Sequence, residues 1–177
     1  MPAYHSSFND VANKSLAGMA VLPLKSQFKG PAPRAVNDGP DIIDEALQFF
    51  KANVFFKSYE VKGSGDRVLI YLTLYIQECL KKIQRVQTKH DGASQLQTLA
   101  VSNFDIPGDS KFPLNPFYEK PASRADADTL RNYMLQMRQE MGQRLAEKVY
   151  TAEGPSKWWL CFTKRRFMDK SLSGPGK

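Results

Sequence analysis

Two histidines and two cysteines in 177 residues leave little material for imidazole or thiolate chemistry. His5 lies near the N-terminus and His90 in a Lys-His-Asp-Gly stretch that reads as a turn; neither has a nucleophile or carboxylate partner beside it in the sequence. Cys79 and Cys161 show no metal-ligand spacing and sit on apolar segments, which fits buried free thiols. No dinucleotide-binding glycine fingerprint, P-loop, His-Glu-x-x-His, Gly-x-Ser-x-Gly or Cys-x-x-Cys pair occurs. Gly63-Ser64-Gly65 precedes a helix signal, but it lacks the P-loop lysine and follows no convincing strand, so it reads as a turn. These absences argue against an enzyme and against any bound cofactor or metal. The N-terminus lacks the apolar core of a secretion signal, so a cytoplasmic protein is expected. Internal repeats are also missing.

What the chain does have is one strongly apolar run, Val68–Leu80, interrupted only by Thr73, Gln77 and Glu78. It alternates well enough for a strand, and it is rich in β-branched and aromatic residues. Yet no Gly or Pro occurs from Asp66 to at least Val86, and Ile76, Leu80, Ile83 and Val86 keep three-to-four spacing. Twenty continuous residues suit a helix, over about 66–88, apolar nearly all round and therefore wrapped by the rest of the chain. The run is too short, and too closely flanked by charge, to insert into a membrane. With 42% hydrophobic and 24% charged residues the chain is a folded protein. Its length fits a single domain, 1–177, able to bury roughly 70% of its apolar surface.

Residues 1–40 carry Pro2, Pro23, Pro31, Pro33 and Pro40 among scattered apolar residues. That composition predicts an extended arm packed over the surface, loosest at Ala35–Pro40, ahead of a helical body at 41–177. A first helix starts near Asp41 and buries Ile42, Ile43, Ala46, Leu47, Phe50 and Val54; Asp41, Asp44 and Glu45 serve its positive end rather than a metal. A short helix is expected from Ser94 to Val101. The proline- and aromatic-rich stretch Asn103–Pro121 should be ordered but irregular, pinned by Phe104, Phe112, Phe117 and Tyr118. Ser123-Arg124-Ala125-Asp126 resembles a capping box and opens the longest amphipathic helix. Leu130, Met134, Met137, Met141, Leu145 and Val149 form its core stripe, with Arg131, Arg138, Gln139, Arg144 and Lys148 on the remaining faces. Pro155-Ser156 opens a last helix through Lys157–Met168. The fold class is all-α, about five helices around one apolar helix.

Charge is unevenly placed. Of the formal +7, Lys157–Lys177 holds six Lys or Arg against Asp169, a local +5. Within it, Trp158 and Trp159 diverge by about 100° on a helix, so both cannot face the core. Trp158, Trp159, Lys164, Arg165 and Arg166 are the candidate partner-binding residues. Aromatics with basic residues suit a protein interface against an acidic partner. They also suit base stacking with phosphate neutralisation, so a small nucleic-acid-binding module is the alternative.

Seven stretches carry a resemblance: MPAYHSS at the start, SQFKGPAP at Ser26–Pro33, FFKANVFFKSYE at Phe49–Glu60, LIYLTLYIQECLKK at Leu69–Lys82, FPLNPFYEKPA at Phe112–Ala122, PSKWWLCFTKRRFM at Pro155–Met168, and KSLSGPG at Lys170–Gly176. Together, and in this order, they closely resemble the subunit 3 family of the actin-related protein 2/3 complex, the seven-subunit assembly that nucleates branched actin filaments. Residues 9–18, 34–40 and 87–97 diverge, and the turn Thr151–Gly154 looks shorter than is usual in that family. The resemblance implies a non-catalytic, all-α subunit with one helix surrounded by the others and no nucleotide of its own. It further implies partners in the other complex subunits, chiefly actin-related protein 3, contacts near the mother actin filament, and residence in the cytoplasmic actin cytoskeleton, cell projections and leading edge. Nucleic acid is not among the partners it implies. Actin is acidic, so the basic C-terminal segment is chemically suited to lie close to a filament or an acidic partner.

Overall fold

The computed structural model describes residues 2–11 and 14–173. Among them are five α-helices: α1 (Ile42–Asn53), α2 (Ser64–Ile83), α3 (Lys89–Val101), α4 (Arg124–Val149) and the single-turn α5 (Lys157–Leu160). Two short antiparallel hairpins accompany them, β1 (Ser15–Leu16) with β2 (Met19–Ala20) and β3 (Tyr150–Thr151) with β4 (Gly154–Pro155). The fold is therefore mostly helical rather than purely α.

Helix α2 touches α1, α3, α4 and β2. Every residue from Val68 to Gln77 is buried, nearly three turns with no side in water. Polar atoms on such a helix must find partners inside. Thr73 Oγ1 donates to the Leu69 carbonyl at 2.8 Å, one turn back. Gln77 accepts from the Phe167 N–H and donates to the Lys170 carbonyl. The partly buried Glu78 pairs with Lys81 at 2.9 Å. The helix ends at Ile83, short of the expected 88. The reason lies in α3, which begins at Lys89 rather than Ser94 because the Thr88 hydroxyl caps it by accepting from the Asp91 N–H. A residue capping the next helix adopts extended backbone and cannot continue the previous one. His90 consequently lies in the first turn of α3, not in a turn between elements. Gly92 is needed there: a Cβ would fall 2.4 Å from the Tyr150 ring.

Asp41 and Asp44 form a reciprocal capping box on α1, and Ser123 caps α4 by accepting from the Asp126 N–H. Met134, Met137 and Met141 are fully buried. Two arginines expected on the outer faces of α4 are not there. Arg138 is buried, donating to the carbonyls of Leu99 and Ala100 at the end of α3. Arg144 is mostly buried and grips Asp41, Asp44, Glu140 and the Lys25 carbonyl at 2.6–3.0 Å. A guanidinium supplies five donors in a plane, enough to join three chain segments at once.

The N-terminal residues are more deeply built in than a surface arm. Met19, Ala20, Leu22 and Leu24 belong to the core, and the Tyr133 hydroxyl accepts from the Leu22 N–H while donating to the Ala20 carbonyl. Gln136 similarly binds the backbone of Ala32 and Phe28. At the start of α2, Asp66 accepts from the N–H groups of Ser6 and Lys62 and lies 2.7 Å from His5 Nδ1. Gly65 lets that contact happen, since a Cβ would lie 2.8 Å from the Phe8 backbone carbon. Burial alone would raise the Asp66 carboxyl, but these donors hold it below the usual carboxylate range. Residues 36–40, by contrast, are exposed.

Candidate interaction surface

The last described segment departs most from a regular helix. α5 stops at Leu160, and the chain continues through turns to a 3-10 turn at Phe167–Asp169 instead of a helix to Met168. Met168 and Asp169 adopt positive φ, +57° and +56°, a conformation no α-helix contains. What replaces helical hydrogen bonding is contact with α2 and with the end of α1. The Phe167 N–H donates to Gln77 Oε1 at 2.5 Å, and the Met168 N–H to the Phe56 carbonyl at 2.9 Å. Phe167 is fully buried, edge-on to Tyr59.

Ser156 starts α5 by accepting from the Trp158 N–H. The two tryptophans then separate. Trp159 is 8% exposed, stacks on Phe50 at 6.0 Å between centroids and carries Lys51 Nζ 4.4 Å over its ring. Trp158 is 69% exposed, with Lys157 Nζ 5.5 Å from its ring. So of the candidate partner-binding residues, Trp159 anchors the segment and Trp158 faces solvent. Cys161, expected to be buried, is exposed. Cys79 is buried, and burial pushes its thiol up to about 12.

Lys164, Arg165 and Arg166 are exposed. Arg165 lies 4.7 Å over the ring of Phe55, itself 53% exposed and edge-on to Phe162. Two shallow hollows flank the basic cluster. One, of about 260 Å³, is bounded by Val54, Phe55, Lys57 and Asp169; the other, of about 270 Å³, by Gln77, Lys81, Gln84 and Thr163. Phe55 and Lys57 were not legible as site residues from the sequence. The available signal was Phe55-Phe56 just past a helix whose stripe was already complete at Val54, which leaves one ring without an inner face.

Among the described residues, no group of three or more His, Cys, Asp or Glu is placed to hold a metal ion. No helix among them is long and apolar enough to cross a membrane. An open, aromatic-edged basic face on a small helical body has the make-up of a docking surface.

Residues 1–172 match the family model described as "P21-Arc: ARP2/3 complex ARPC3 (21 kDa) subunit". The chain belongs to that family. Similar proteins include a probable actin-related protein 2/3 complex subunit 3 of Caenorhabditis elegans, 50% identical over 99% of this chain and 98% of its own length. The Schizosaccharomyces pombe subunit 3 is 50% identical over 97% of this chain and 100% of its own, and that of Dictyostelium discoideum 49% over 96% and 99%. This is a family of complex subunits and not an enzyme family.

Proposed function

We propose that the chain is a non-catalytic structural subunit of an actin-related protein 2/3 complex that supports nucleation of branched actin filaments. It acts as one folded unit, docked against actin-related protein 3 and lying near the mother filament. Its place of work is the cytoplasmic actin cytoskeleton, including cell projections and the leading edge. Family membership along nearly the whole chain supports the subunit role. The observation that carries the contact surface is that Trp158, 69% exposed, and the exposed Lys164, Arg165 and Arg166 belong to one C-terminal segment, which Gln77 and Phe56 tie down at Phe167 and Met168. A large exposed aromatic costs free energy in water, and Trp and Arg dominate the energetics of protein interfaces. The local surplus of positive charge favours an acidic partner surface, such as that of actin. Trp159 contributes indirectly, by fixing the backbone from which Trp158 projects. The nucleic-acid alternative needs a series of open rings for stacking, and Trp159, the second ring it relied on, is turned into the core.

Two measurements test this reading. Endogenous protein should co-elute with two actin-related proteins and four further subunits; a chain found only as a free monomer would refute it. Lys164→Glu with Arg165→Glu should assemble normally and cost no more than about 1 kcal/mol of stability, because Lys164 is solvated and Arg165 loses only its contact with the half-exposed Phe55 ring, yet it should reduce the branching rate. Unchanged branching by assembled double mutant would remove the proposed surface, and salt-sensitive RNA or DNA binding lost in the same mutant would favour the alternative.

A further inference from the structure

We infer that a pocket between α2, α3, α4 and the 103–113 loop binds a small carboxylate through Arg138 and Tyr75. The pocket has a volume of about 180 Å³ and shares no lining residue with the hollows beside the basic cluster. Arg138, 4% exposed, lines it. Its Nε donates to the Ala100 carbonyl at 3.1 Å, Nη2 to the Leu99 carbonyl at 2.7 Å and Nη1 to the Tyr71 hydroxyl at 3.3 Å. The guanidinium lies over the rings of Tyr75 at 4.6 Å and Phe104 at 4.2 Å. One N–H on each terminal nitrogen is left over from the five donors. No carboxylate among the described residues forms an ion pair with Arg138. The α3 carbonyls carry only partial negative charge, so a nearly full positive charge is buried without a counter-ion.

A second, independent feature points into the same space. Tyr75 lines the pocket, is fully buried, and its hydroxyl has no hydrogen-bond partner. Its polar neighbour, the Cys79 thiol, is only a weak donor and acceptor and does not satisfy it. Buried hydroxyls are rarely left so, because nothing replaces the water they gave up. An orphan donor beside an unpaired guanidinium is a set of groups that a carboxylate completes, accepting from both. Two acids also border the pocket. Glu78 is balanced by Lys81 at 2.9 Å and engaged by the Ser171 and Ser173 hydroxyls, while Asp105 is exposed to solvent. Phe112 and the Tyr71 and Phe104 rings favour a flat body on the ligand, and the small volume limits it to fragment size. The carboxylate comes either from a free small molecule or from a side chain of a neighbouring subunit.

The experiment is a benzoate titration of the full chain, with Arg Nε and Tyr ring signals followed by NMR. Benzamide and inorganic phosphate serve as comparisons. Saturable shifts of Arg138 and Tyr75 at millimolar benzoate are expected, with at least tenfold weaker binding of benzamide. Tyr75→Phe should weaken benzoate about tenfold, the loss of one hydrogen bond to a charged group. It removes a hydroxyl with no partner in the protein beyond the weak Cys79 thiol, so its fold should stand even if Arg138→Met fails to fold. Shifts that do not saturate, or an affinity unchanged by Tyr75→Phe, would overturn the inference and leave a water-filled pocket. A repeat in the assembled complex, which rests on the proposed subunit role, separates the two sources. Benzoate excluded there means a neighbouring subunit supplies the carboxylate; benzoate still bound means a free molecule does.

Discussion

Helix α2 and the segment 155–173 are neighbours bonded to each other, yet they reach a buried state by opposite routes. α2 meets its backbone hydrogen bonds internally and is apolar in nearly every direction, so it is stable wherever a shell surrounds it. The C-terminal segment makes one turn of helix and then depends on other elements: Gln77 and Phe56 for its backbone, Phe50 and Tyr59 for its rings. Regularity frees a helix from specific partners. Irregular backbone must be satisfied group by group, and that dependence lets one stretch place Trp159 inside while projecting Trp158 and the basic residues outward.

The contrast is most sharply tested in α2. Leu72→Ala, at a fully buried position, should destabilise the whole protein by about 2–5 kcal/mol, with the spread set by how far the cavity collapses. Denaturant midpoints should fall, and hydrogen exchange should quicken in α1 to α4 together. A loss confined to the C-terminal segment would contradict the view of α2 as the shared centre.

Gln77→Leu should act more locally. It orphans the Phe167 N–H and the Lys170 carbonyl, a cost of about 1–3 kcal/mol. Exchange should rise at Phe167–Lys170 while the middle of α2 stays protected, and fluorescence of the buried Trp159 should become more solvent-quenched. If α2 loses protection to the same degree, the two regions are one cooperative unit.

The smallest effect near neutral pH concerns the opposite end of α2. The Asp66 carboxyl is held below its ordinary value of about 3.9, so the folded state binds its proton less readily than the unfolded chain does. Its contribution is therefore complete above the unfolded pKa and is lost as pH falls through the folded one. Acid titration of stability should show a loss below about pH 4 that Asp66→Asn flattens. An unchanged acid limb in that variant would mean the N-terminal contact carries no linkage.

Much of the architecture was open to reading because its causes are local. Thirteen residues with three polar interruptions and no breaker demand a buried helix, and acids at Asp41 and Asp44 or a serine at Ser123 mark helix starts wherever the rest of the chain goes. Errors arose where two local preferences competed. Apolar spacing through Val86 suggested a longer α2, but capping by Thr88 claimed those residues for the next helix. Likewise, amphipathic spacing put Arg138 and Arg144 outside. Their long stems and planar donors served buried carbonyls and carboxylates instead, which no periodicity reveals.

At the candidate site, the sequence determined composition alone: two adjacent tryptophans that must diverge, and a cluster of three basic residues. Only the tertiary structure decided which tryptophan turns inward, because that depends on Phe50 and Lys51, more than a hundred residues away in the chain. It also decided that Phe55 joins the surface and that Arg138 and Tyr75 share a pocket. Side-chain propensities act within a turn or two of backbone, whereas sites are assembled from segments whose proximity is set by how the whole core packs.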